Sequence, residues 1–117
     1  MIYKEIAPLS PVEIGEHIKR GKTKDLVNLA LAAALHWPDA EAAQQVCFTL
    51  AGHKDAMVRG NAVLALGHIA RIHGKLDRQQ TERILRQAWE DEKAYVRGHA
   101  EDAGDDIAHF LGWEIRH

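Results

Sequence analysis

Asp102, Asp106 and His109 follow one another at four and three residues, and His99 lies one turn earlier. On a helix such positions share a face, so one element could offer three ligands to a single ion. That donor set suits zinc, or iron if a second helix added carboxylates. No CxxC, HExxH or paired ExxH accompanies it. The pattern is therefore read as a mixed stripe without a metal or other cofactor. Tyr95, His99, Asp102, Asp106, His109 and Trp113 make up the stripe, and Asp105 stands beside it. Aromatic, imidazole and carboxylate groups on one face are what protein-binding centres often contain. Glu101 with Asp105, and Asp102 with Asp106, place like charges four apart, which costs a few tenths of a kcal/mol per pair. Charge complementarity to a basic partner is one account of that arrangement; a solvated end of the last helix is the plainer one.

Other chemistry finds less support. Ser10 is the single serine and sits where a helix cap is needed. Cys47 is the single cysteine, so no internal disulfide can form. It lies between Val46 and Phe48 in an apolar run, where a buried thiol is the expected state. Gly60, Gly67 and Gly74 are spaced by seven and form no phosphate-cradling loop. Lys19, Arg20, Lys22 and Lys24 cluster without interleaved aromatics, which reads as a solvated turn rather than a nucleic-acid site. The 117 residues carry a net charge of -2, which points to neither nucleic acid nor membrane. The start, MIYKEIAPLS, lacks the features of a signal peptide, and no stretch approaches the roughly 20 apolar residues of a membrane span. A single domain over residues 1–117 in a cytoplasmic setting is expected.

Helices must position these groups. Ser10, Pro11 and Glu13 form a capping box before a first helix that runs to about Arg20. A second is expected from about Thr23 to His36, ended by Trp37-Pro38. Asp39 caps a third to about Ala51, Asp55 a fourth to about His73, and Asp77 a fifth to about Glu90. The sixth runs from about Lys93 to Leu111 or Trp113. On its wheel Val96, Ala100, Ala103, Ile107, Phe110 and Leu111 make the core face. Gly60 and Gly98, both inside helices, read as close-packing sites. No period-two alternation predicts a strand anywhere.

The fourth and sixth helices are copies. DAMVRGNAVLALGHIA, from Asp55, returns 38 residues later as KAYVRGHAEDAGDDIA, from Lys93. Val58, Arg59, Gly60, Ala62, Ala65 and Ile69 recur as Val96, Arg97, Gly98, Ala100, Ala103 and Ile107. A period near 40 residues is the signature of stacked helical hairpins, and about three repeats are the usual minimum for burying both faces. The stripe of the sixth helix has its counterpart in Met57, Asn61, Leu64, His68 and Arg71 of the fourth.

Asp55, the Val58-Arg59 pair and the Ala65-Leu66-Gly67 step resemble a HEAT repeat. The second copy departs from that pattern, with Lys93 in place of the Asp and Gly104-Asp105 in place of Leu66-Gly67. The resemblance implies an all-α fold of three stacked antiparallel helical hairpins, a HEAT-like α-solenoid. It further implies that the second helix of each pair lines a concave binding surface, which would make the two stripes neighbours. Small stand-alone helical-repeat domains without catalytic motifs also resemble some immunity proteins of contact-dependent toxin systems. That likeness implies a protein that is not an enzyme and that binds and neutralises a cognate bacterial toxin. The implied partner is a basic toxin domain, held by a monomer in a heterodimeric complex, with no nucleic acid and no membrane. The partner-binding residues would be Tyr95, His99, Asp102, Asp105, Asp106, His109 and Trp113, with Asn61, His68 and Arg71. A generic adaptor or scaffold, and a metal-dependent enzyme built on the stripe, are the alternatives.

Overall fold

The computed structural model describes Glu16 and residues 18–115. The arm, the Ser10–Glu13 capping box and most of the first expected helix lie outside the described residues, of which 18–20 are helical. Six helices follow: α1 (Thr23–Leu26), α2 (Leu29–His36), α3 (Ala40–Leu50), α4 (Ala56–His73), α5 (Arg78–Trp89) and α6 (Ala94–Leu111). No strand occurs among the described residues. Helices α3–α4 and α5–α6 form antiparallel hairpins, and α2, α4 and α6 lie side by side with α4 in the middle. The fold is the all-α stack of hairpins that the repeat implies.

Side chains set the ends of these helices. The Asp39 carboxylate accepts from the Glu41 N–H at 2.9 Å, Asp55 from Met57 at 2.9 Å, and Asp77 from Gln80 at 2.9 Å. Each satisfies a backbone donor that a helix start leaves unpaired, typically worth ~1 kcal/mol. The 38-residue offset extends beyond the motif. Helices α4 and α6 both have 18 residues, and both close on a left-handed glycine, Gly74 at φ 67° and Gly112 at φ 69°. Glycine adopts that conformation without the penalty a Cβ would bring.

The second copy lacks its capping Asp, and the turn before α6 is held instead by Asp91, two residues earlier. Lys93 makes no side-chain cap, but its N–H donates to Asp91 Oδ1 at 2.9 Å. The same carboxylate receives Nε and Nη2 of Arg59, each at 2.9 Å, in a bidentate pair. Arg59 Nη1 also donates to the carbonyls of His53 and Lys54. The arginine of one hairpin thus fastens the turn of the next. The hydrogen bond from Arg59 holds the Asp91 carboxyl below its ordinary pKa.

The core runs through the whole stack. Leu26, Leu29, Leu50, Val58, Leu66, Ile69, Leu85, Val96 and Ile107 are each at most 1% exposed. Burying a side chain of that size contributes about 1.5–3 kcal/mol relative to leaving it in water. Small residues set the spacing of α4 and α6: a Cβ at Gly67 would lie 3.1 Å from the Ala103 Cα. Gly104 holds α5 close in the same way, since a Cβ there would sit 3.1 Å from the Trp89 ring. Gly98, by contrast, has nothing within 4 Å of a Cβ, so its expected packing role is not observed.

The second expected helix is broken in two. Val27 and Asn28 form a turn between α1 and α2, with Asn28 at φ -106° and ψ 0°. The turn presents the Val27 carbonyl to Asn61 Nδ2, which donates to it at 2.7 Å. That contact comes from a residue 34 positions away, so no local pattern signals it.

Candidate functional site

The two stripes meet, and Tyr95 joins them. Its hydroxyl donates to Asn61 Oδ1 at 2.6 Å, and Asn61 passes the link on to Val27. One chain of hydrogen bonds therefore ties α6 through α4 to the α1–α2 turn. Asn61 is 5% exposed, and a buried amide needs such partners to offset its desolvation. The Tyr95 ring lies over Gly60, where a Cβ would approach it to 2.7 Å. It also packs against the His99 ring, with centroids 4.4 Å apart and planes at 60°. Tyr95 is nonetheless 39% exposed, so its outer edge faces solvent from a fixed position.

Further along the seam Asp106 leans on α4. A Cβ at Gly67 would lie 3.3 Å from its Cβ and from its Oδ2. The neighbouring His68 accepts from Arg71 Nη2 at 3.3 Å through Nδ1. Burial pushes the His68 pKa down, the Arg71 charge pushes it down further, and the Asp106 charge opposes both. Asp102 and Asp105 are exposed, as is His109, whose ring meets Phe110 edge-on at 4.7 Å. Helix α6 thus carries four carboxylates, Glu101, Asp102, Asp105 and Asp106, against the single cation Arg97. Arg97 Nη1 donates to the Asp91 carbonyl at 2.7 Å. Among the described residues no group of three or more His, Cys, Asp or Glu is placed to hold a metal ion.

Several expected site residues are placed differently. Asn61 is not a surface donor, because its amide is taken up by Val27 and Tyr95. Trp113 does not continue the stripe of α6: Gly112 ends the helix and turns the chain. The Trp113 ring instead lies 5.1 Å from the Arg78 guanidinium of α5, a cation–π contact. Phe110 is not in the core but 44% exposed, and Leu111 is half-buried. Met57, part of the α4 stripe, is exposed at 50%; Leu35 and Ile72 are exposed at 44% and 42%, and no reading of single helices singled those two out. Lys19, Arg20, Lys22 and Lys24 are all exposed, as a solvated turn requires.

The remaining groups of chemical interest are built into the structure. Cys47 is fully buried, and desolvation pushes its thiol pKa far up, so it offers no thiolate. A cleft of about 500 Å³ lies where α3, α4 and α5 diverge. Phe48, Val63 and Ile84 line it, and the Arg59–Asp91 pair closes one side. No helix among the described residues is long and apolar enough to cross a membrane.

No family model matches the chain, the HEAT repeat included. No curated protein matches it either. Among solved structures the chain is similar to one described as the crystal structure of a CDI complex from Cupriavidus taiwanensis LMG 19424. The two share 28% of residues at a TM-score of 0.71, over 89% of this chain and 92% of that one.

Proposed function

We propose that this chain is an immunity protein of a contact-dependent inhibition system, which binds a cognate toxin domain and neutralises it. The similarity to a chain of a CDI complex over nearly the full length of both carries this reading. Such a complex is an assembly of proteins, so a protein partner is the coarser inference and toxin neutralisation the finer one. The buried, protonated Cys47 favours a binder over a cysteine enzyme.

The binding face in this reading is the α4–α6 strip. Tyr95 and His99 supply a stacked pair fixed from beneath by Asn61. Asp102, Asp105 and Asp106 supply charge for a basic partner, with His68, Arg71 and His109 at the margins. The like-charge spacing on α6 weakens the isolated helix, and a cationic partner would relieve it. The complex would be a heterodimer with one copy of each chain.

The test is rescue of growth. The gene adjacent to this one is expressed from an inducible promoter, with and without this chain. The expected outcome is growth arrest that this chain relieves, together with co-purification of the two proteins. Arrest that persists at full expression of this chain would overturn the reading. Binding without relief would instead favour an adaptor.

A further inference from the structure

Five large hydrophobic side chains are exposed among the described residues, and all lie on α2, α4 and α6: Leu35, Met57, Ile72, Tyr95 and Phe110. None comes from α3 or α5. Apolar residues scattered singly over a surface need no explanation, but these are not scattered. Met57 and Tyr95 are 38 residues apart, as are Ile72 and Phe110. That is the offset which relates the first residues, last residues and caps of α4 and α6. The packing keeps the same register. Gly60 meets Tyr95 and His99, and Gly67 meets Ala103 and Asp106, so equivalent positions of the two helices stand level. Ile72 and Phe110 are therefore neighbours across the seam near the helix ends. The Asn61–Val27 bond sets the level of α2. Leu35 follows Val27 by eight residues and Ile72 follows Asn61 by eleven, so the two stand within about one helical turn of each other.

Leu35, Ile72 and Phe110 are thus exposed at about one level near the ends of three adjacent helices, a row in that sense. Between this row and Tyr95, α6 presents Asp102, Asp105 and Asp106, with Asp106 one turn before Phe110. The cation beside the row, Arg71, is turned to His68. The face is apolar at one end and acidic next to it.

We infer that the row of Leu35, Ile72 and Phe110 is the apolar anchor of the toxin-binding face, and that it docks a protein surface whose apolar side chains flank a basic centre. This rests on the immunity reading and adds the location and chemistry of the contact. Interface energy concentrates in a few desolvated apolar and aromatic side chains, with charge around them setting register and encounter rate. The acidic stripe alone would steer a partner without holding it.

The experiment is isothermal titration of the purified full chain with a catalytically inactivated form of the adjacent gene's toxin domain. Ile72→Glu, Phe110→Glu and the double variant are compared with Gln45→Glu on the exposed side of α3, each with its urea midpoint measured. All three positions are exposed, so the fold is expected to persist. Single variants on α4 and α6 should bind about tenfold more weakly or worse, and Gln45→Glu within about threefold of wild type. Phe110→Leu, which keeps an apolar side chain, should recover most of the affinity lost in Phe110→Glu. If the double variant binds within about threefold of a wild type that rescues growth, the row is not the anchor and the immunity reading stands. A wild type that neither binds nor rescues removes both. A wild-type dimer in sedimentation equilibrium that Phe110→Glu dissolves would make the occupant a second copy of this chain and overturn the inference.

Discussion

Asn61 shows how one residue can serve a surface from below. Its amide joins Tyr95 of α6 to the Val27 carbonyl. Asn61→Ala leaves that hydroxyl and that carbonyl without a protein partner, and orphaned buried polar groups cost about 1–3 kcal/mol each. A comparable loss is expected in urea unfolding, with a smaller one of about 0.5–1.5 kcal/mol for Tyr95→Phe. Equal stability of all three proteins would show that water replaces the network without cost. His68 reports on the same seam through its proton. Its folded pKa lies below the ordinary value, chiefly because burial disfavours the charged ring. In the window between the two values the unfolded chain holds more protons, so stability falls as pH drops through it. Above the ordinary value near 6.5 the contribution is complete. An NMR titration should place His68 below the ordinary imidazole value. Asp106→Asn, which removes the opposing charge, should lower it further; a rise would mean that Asp106 does not face His68.

At the level of the helix pair, contact between α4 and α6 is set by what the side chains leave out. Glycine inside a helix costs up to about 1 kcal/mol relative to alanine. Gly60 is retained where a Cβ would come within 2.7 Å of the Tyr95 ring. Gly60→Ala should therefore destabilise the wild type, because the ring must leave its place and break its bond to Asn61. In a Tyr95→Ala background only the edge of the His99 ring, at 3.3 Å, stands near a Cβ, and that ring has lost its stacking partner, so the same substitution should stabilise by up to about 1 kcal/mol. A double-mutant cycle measures the change of sign. An identical effect in both backgrounds would disprove the wedge. Gly98, the repeat partner of Gly60, borders open space. Sequence equivalence gave the two glycines one expected role, and packing gave them different ones: α6 lies over Gly60, and among the described residues nothing lies over Gly98.

Over the whole molecule, stability and binding separate by face. Leu66 is fully buried in α4, and Leu66→Ala should cost about 2–5 kcal/mol in urea unfolding. That is a large part of the 5–15 kcal/mol typical of a domain. A loss under about 0.5 kcal/mol would place Leu66 at the surface. Asp102→Ala and Asp106→Ala should leave the unfolding midpoint nearly unchanged. In complex with the toxin each should weaken binding, by about 2–5 kcal/mol where the pair is desolvated. Glu90 and Glu92, exposed near the start of α6, should instead change the association rate and its salt dependence. Wild-type affinity for both aspartate variants would show that neither aspartate forms a desolvated pair with the partner.

Most helices, their aspartate caps and the 38-residue period are legible in the residues alone, because these follow from interactions within one or two turns and from a pattern repeated along the chain. The sequence also placed both stripes, Trp113 apart, on their helices, and the resemblance to a HEAT repeat implied that the stripes are neighbours. Tertiary structure decided what each stripe residue does. The α1–α2 break answers a donor on α4, Asn61 is buried because Tyr95 reaches it, and Asp91 holds the turn at Lys93 while paired with Arg59. Trp113 turns to Arg78 once Gly112 ends α6. Phe110 lies at the edge of the apolar arc, where a wheel cannot tell core from surface. Only the position of a neighbouring helix settles that, and here the neighbour leaves Phe110 in solvent beside Ile72.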